Sequence, residues 1–223
     1  MTGHQLRESR ENRAWNQQQL AERLGVSQAY VSLLERGRRP LAASLVNRLA
    51  SLLELPATAL PLREDQPLAG DRSTVAMGTL GYDGFSYLRE QQSTNPAEVL
   101  VRTLGADQVD ARVVEALPWL VRTYADMDWE WVVSRAKQAD LQNRLGFVVS
   151  VARGLAEAAS DAQTTATLRA LEARLENSRL QKQDAFGRPS MTHAEERWLQ
   201  EHSSPEAKHW NMLSTLTART TQP

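Results

Sequence analysis

The chain has no cysteine among its 223 residues. That excludes a disulfide framework, a cysteine zinc site and a thiol nucleophile, and it agrees with a reducing compartment. No apolar run approaches the ~18 residues a membrane span needs. The polar stretch from Met1 to Arg13 has no apolar core of the kind a signal peptide carries. The sequence therefore predicts a soluble, cytoplasmic protein. Equally missing are a glycine-rich phosphate loop, a G-x-S-x-G elbow, an H-E-x-x-H pair and an acid–base couple. The expectation is a protein that is no enzyme and needs neither cofactor nor metal. Alternating strand patterns and internal repeats are absent as well, so the expected fold class is all-α.

What is present is an ordinary globular balance, 41% hydrophobic and 24% charged residues, which argues against a largely disordered chain. The net charge of −1 conceals a division. Residues 1–63 hold nine arginines against five glutamates, a net +4, and the remainder is −5. A basic head on an acidic body points to one polyanion-binding end.

The head reads as a string of short helices. Leu6 to Arg13 is polar and helix-favouring. Asn16 caps Gln17 to Leu24, which stops at Gly25; Ser27 caps Gln28 to Arg36, which stops at Gly37. Ala43 to Leu53 carries an apolar stripe of Leu45, Val46, Leu49, Leu52 and Leu53. Pro56, followed by Ala57 to Leu60, closes the unit. Three regions follow from composition: a head over 1–62, a linker over 63–75 and a helical body over 76–223.

Two helices joined by a short turn containing glycine make the geometry that lays a second helix in a DNA major groove. Here the turn is Gly25-Val26-Ser27. Leu20 and Leu24 share one face of the first helix, Val31 and Leu34 one face of the second, and Ala21 permits close approach. Burying these turns Gln28, Ala29, Ser32 and Leu33 outward.

The run from Asn16-Gln17-Gln18-Gln19-Leu20-Ala21 through Gly25-Val26-Ser27-Gln28 to Glu35-Arg36-Gly37-Arg38-Arg39-Pro40 resembles the lambdoid phage repressor (Cro/XRE-type) helix-turn-helix family. The resemblance covers residues 4–60. It implies a five-helix, lambda-repressor-like domain whose third helix reads DNA, and a homodimer on a palindromic double-stranded operator. It places Gln28, Ala29, Ser32 and Leu33 at base-facing positions, with Asn16, Gln17, Arg36, Arg38 and Arg39 on phosphate. Tyr30 is expected on sugar or phosphate. Arg10 and Glu35 sit where family members pair the first helix to the end of the third, a structural role. The chemistry agrees. A glutamine at the start of a groove-lying helix can bond an adenine edge bidentately, and arginines supply the salt-sensitive, sequence-independent attraction. Ala29 and Leu33 can touch only a thymine methyl, so few direct base contacts are expected.

The body reads as further helices: one opening at Pro96 after Asn95, then Val109 to Tyr124, kinked or split at Pro118. Asp128 to Leu141 and Gln142 to Ala158 read as a helical pair. Thr164 to Gln183 reads as one long, leucine-spaced helix. Thr192 and Glu195 form a capping box, and Ser204-Pro205 starts a last helix through Trp210 and Leu213. Five of the six tryptophans lie here, as core residues or as interface anchors. Asp126, Asp128 and Glu130 read as acids at a helix start rather than a cation site. His193, His202 and His209 lack ligand spacing. Leu141 to Val149 weakly resembles a segment of AbiEi-type antitoxins, whose partner is a nucleotidyltransferase toxin. That resemblance implies an alternative in which the acidic body masks a toxin and the head autoregulates. A dimeric repressor is the primary reading.

Overall fold

The structure is a computed structural model that describes residues 2–62, 71–90, 94–186 and 190–220. Helices account for its regular structure. Among the described residues there is no strand, only an isolated bridge between Asp184 and Met212. The chain divides into two compact units. One comprises residues 1–64 with 91–95, and the other 65–90 with 96–223.

The first unit holds α1 (Gly3–Asn12), α2 (Gln17–Leu24), α3 (Gln28–Glu35) and α4 (Ala43–Leu53). Where a fifth helix is expected there is a single 3-10 turn, Ala57–Ala59, because Leu60, held extended (ψ 150°) before Pro61, ends it. The starts are set by side chains. Thr2 and Asn16 each form a capping box with the glutamine three residues on, and Ser27 accepts from the Tyr30 amide. Such a cap is worth about 1 kcal/mol relative to alanine. Leu6, Leu20, Ala21, Leu24, Val31, Leu34, Leu49 and Leu53 close into one buried cluster. Each fully buried leucine contributes roughly 1.5–3 kcal/mol, and the cluster draws on all four helices.

The second unit holds α5 (Asp71–Thr79), α6 (Pro96–Leu104), α7 (Ala111–Thr123), α8 (Trp129–Gln138), α9 (Gln142–Ala158), α10 (Ala162–Glu176), α11 (His193–His202) and α12 (Pro205–His209). A 3-10 segment, Asp83–Leu88, follows α5. Helix α9 is buried on nearly every side (Leu145, Phe147, Val148, Val149, Val151 and Ala152 are all covered), as expected of a helix apolar all round.

Several sequence expectations change here. The supposed linker is helical from Asp71, with Ser73 and Thr74 buried; its residues 63–70 lie outside the described residues. Helix α7 runs unsplit through Pro118. Proline removes one helical donor, and burial of Val113, Leu117, Leu120 and Val121 on both sides holds the two halves in line. Helix α9 packs chiefly on α7 and α10, while α8 packs chiefly on α6. The long helix expected to Gln183 stops at Glu176. Asn143 accepts from the Leu180 amide at 2.8 Å and donates to its carbonyl at 2.9 Å, and Asn211 donates to the same carbonyl at 2.7 Å. Distant amide groups thus satisfy a backbone that would otherwise need the helix. The last helix is also shorter than expected, ending at His209.

The segment carrying the antitoxin resemblance is absorbed in packing. Arg144 bonds Asp184 and the carbonyls of Leu104 and Ala106, and Gly146 lies against the Trp210 ring. Asp128 caps α8 by accepting from the Trp131 amide, and Glu130 pairs with Arg174, so these acids serve helix ends and helix pairing. Trp210 is buried, Trp198 is exposed, and Trp119, Trp129 and Trp131 are half-buried.

Candidate nucleic-acid interface

Helices α2 and α3 meet through Gly25, whose φ of 71° and ψ of 36° lie in the left-handed region. A side chain there would be strained, and glycine is not. The turn lets the Val26 amide bond back to the Ala21 carbonyl at 3.0 Å. Leu20, Leu24, Val31 and Leu34 then face inward together. By the 3.6-residue period, the positions between them face out.

Gln28 and Ala29 are exposed; Ser32 and Leu33 are half-buried. Of the four residues expected to face bases, those at the start of α3 are therefore the most open. Arg36, Arg38 and Arg39 are exposed where the chain leaves the helix. Tyr30 is half-buried, with the Arg39 guanidinium 5.9 Å from its ring centroid. Asn16 is exposed and already committed to its cap, accepting from the Gln19 amide at 2.8 Å.

Gln17 does more than its sequence position announces. Its Nε2 donates to Glu35 Oε2 at 2.8 Å, and its Oε1 accepts from Gln28 Nε2 at 2.6 Å. Glu35 accepts from Arg10 Nε at 2.6 Å and from Arg10 Nη2 at 3.1 Å. The Arg10–Glu35 pair is nearly closed to solvent, with 8% and 3% of the two side chains exposed. Hydrogen bonding to Glu35 raises the Arg10 pKa above its ordinary value. Arg10 also donates to the Trp15 carbonyl at 2.6 Å, tying down the chain between α1 and α2. A relay thus runs from a buried ion pair through Gln17 to the exposed amide of Gln28. Charge-assisted links at its root are stronger than neutral ones.

Sequence reading anticipated the Arg10–Glu35 pair but not the two glutamine links. Both glutamines are the first residues of their helices, and only the crossing of α2 and α3 brings those ends together. It also missed Gly3. A Cβ there would stand 2.4 Å from the Glu35 carbonyl oxygen, so the first turn of α1 rests on the end of α3. Trp15 is a third unanticipated feature. It packs on the buried cluster with the Arg23 guanidinium 4.3 Å from its ring centroid, a cation–π contact.

Among the described residues, no group of three or more histidine, aspartate or glutamate side chains is placed to hold a metal ion. No described helix is long and apolar enough to cross a membrane.

No curated protein and no solved structure matches the chain. The family model for a helix-turn-helix domain matches residues 3–62, the span from α1 through the 3-10 turn at Ala57. The protein is thus an all-helical chain with an N-terminal helix-turn-helix domain and a larger helical region, and that domain suggests a DNA-binding regulator.

Proposed function

We propose that the protein is a sequence-specific regulator of transcription of the lambdoid repressor type, binding a palindromic double-stranded operator as a dimeric repressor. The observation that carries this reading is the relay from Arg10 and Glu35 through Gln17 to Gln28. A flexible surface glutamine reads bases poorly because its rotamers must be frozen on binding. One already held by a buried network arrives with its amide aimed.

Gln28, Ala29, Ser32 and Leu33 face the base edges, and Gln28 is the one able to bond them bidentately. Asn16, Gln17, Tyr30, Arg36, Arg38 and Arg39 lie along phosphate and sugar, where cations fix register and supply affinity without reading sequence. A single helix-turn-helix offers few base contacts. Two copies on half-sites about one DNA turn apart multiply them, with residues 76–223 supplying the contact between copies.

The test is binding of the full chain to the DNA upstream of its own gene, across a salt series. Log affinity is expected to fall linearly with log salt, and to stay well above that for unrelated duplex. A flat salt dependence, or equal affinity for all sequences, overturns the reading. A neighbouring toxin that co-purifies through residues 76–223 would make repression the autoregulatory arm of an antitoxin instead.

A further inference from the structure

Within the second unit, beside the start of α7, lies a cleft of about 340 Å³. Val109, Val114, Phe186, Leu213 and Leu216 form its apolar walls. That size and lining suit a small molecule. Ser214, Thr215 and Thr220 add hydroxyls to the lining, and two more residues, Trp198 and Glu115, favour one kind of guest.

Trp198 lines the cleft and is 52% exposed, a large apolar ring left open to solvent. His202 stacks on it with centroids 4.4 Å apart and planes 11° from parallel, and the His202 Nδ1 donates to the Trp198 carbonyl. The indole is thereby held in place, and much of its surface remains open to a ligand. Glu115 lines the same cleft. Its carboxylate is exposed and has neither hydrogen bond nor ion pair among the described residues. Arg112, three residues earlier on α7, is committed to Asp110 at 3.0 Å, and the described lining includes no arginine or lysine.

An indole face carries negative quadrupolar charge and attracts cations. An unpaired carboxylate does so directly, and apolar walls favour a ligand with hydrocarbon around its charge. We propose that this cleft binds a small organic cation, a tertiary or quaternary ammonium with an aromatic or aliphatic body. A neutral guest would gain no charge attraction from Glu115, and an anion would be repelled by it.

The probe is benzyltrimethylammonium, titrated into the full chain at low salt by calorimetry, with phenylmethanesulfonate as its anionic counterpart. One-to-one binding of the ammonium and none of the sulfonate is expected. Glu115→Gln should weaken binding roughly tenfold, and Trp198→Leu, which keeps apolar bulk but removes the quadrupole, roughly twofold to thirtyfold. Both residues are exposed, so the variants are expected to melt as the parent does. Equal binding of the two ions, no binding of the ammonium at millimolar concentration, or unchanged affinity in either variant overturns the proposal. No DNA is present in the titration. Failure of the DNA reading leaves the cleft standing, and failure here leaves the DNA reading standing.

Discussion

Gln28 donates through its Nε2 to the Oε1 of Gln17 at 2.6 Å, joining the first residue of α3 to the first residue of α2. The bond leaves the Gln28 carbonyl oxygen free and fixes the amide plane from behind. Gln17→Ala should therefore lower affinity for the specific operator by about 1–3 kcal/mol, the worth of one well-aimed base contact. Gln28→Ala should cost a similar amount, and the double variant little more than either single, since the two act as a unit. Gln17 is neutral, so the salt slope should stay put. Fluorescence anisotropy on specific and unrelated duplexes checks all three. Additive losses would separate the two glutamines.

Arg38 is exposed at the end of α3 and is a proposed phosphate contact. Arg38→Ala should weaken binding to specific and unrelated duplexes alike and shallow the log–log salt slope by about one unit. An unchanged slope places Arg38 away from DNA.

The root of the relay is a stability matter. Removing one partner of a buried ion pair strands the other charge, at about 3–5 kcal/mol. Glu35→Ala should lower stability by that order in urea unfolding of the first unit. Arg10→Met combined with Glu35→Leu should recover much of it while still weakening specific DNA binding by about as much as Gln17→Ala does, about 1–3 kcal/mol, because Gln17 loses its anchor. Full operator affinity in the double variant would show that the relay does not aim Gln28.

Gly146 sits mid-helix in α9, where alanine would ordinarily be favoured by about 1 kcal/mol. A Cβ there would stand 2.4 Å from the Trp210 ring, which is itself buried and donates to Ser150 at 2.8 Å. Gly146→Ala should therefore destabilise, by about 1–3 kcal/mol as overpacking does. A raised melting temperature would contradict the contact.

Acid should lower the stability of the second unit. The Thr164 amide holds the Asp161 carboxyl below its usual range at the start of α10, Arg174 does the same for Glu130, and Arg153 for Glu157. A depressed folded pKa gives stability that is present above the ordinary carboxylate range of about 4. It is lost as pH falls through the lowered folded values. Thermal melts from neutral pH downward should show the decline below about pH 4, and Asp161→Asn should make it shallower.

The first unit was legible because its determinants are local. Asn16 and Ser27 cap within three residues, Gly25 turns the chain at its own φ, and the leucine spacing of α2 and α3 fixes which faces turn inward. None of this needs distant parts of the chain. The end of α10 was illegible for the opposite reason. Its leucine period continues the helical pattern, but Asn143 and Asn211, each more than thirty residues away, take the backbone groups at Leu180.

The sequence by itself determined that a helix beginning at Ser27 would be gripped by its aliphatic side and would turn Gln28 outward, because periodicity and capping act over a few residues. Only the tertiary structure decided that Gln28 would be held by Gln17, that Gly146 would make room for Trp210, and that Trp198 and Glu115 would share one cleft. Those relations join positions far apart in the chain, and they exist only once packing has brought the helices together.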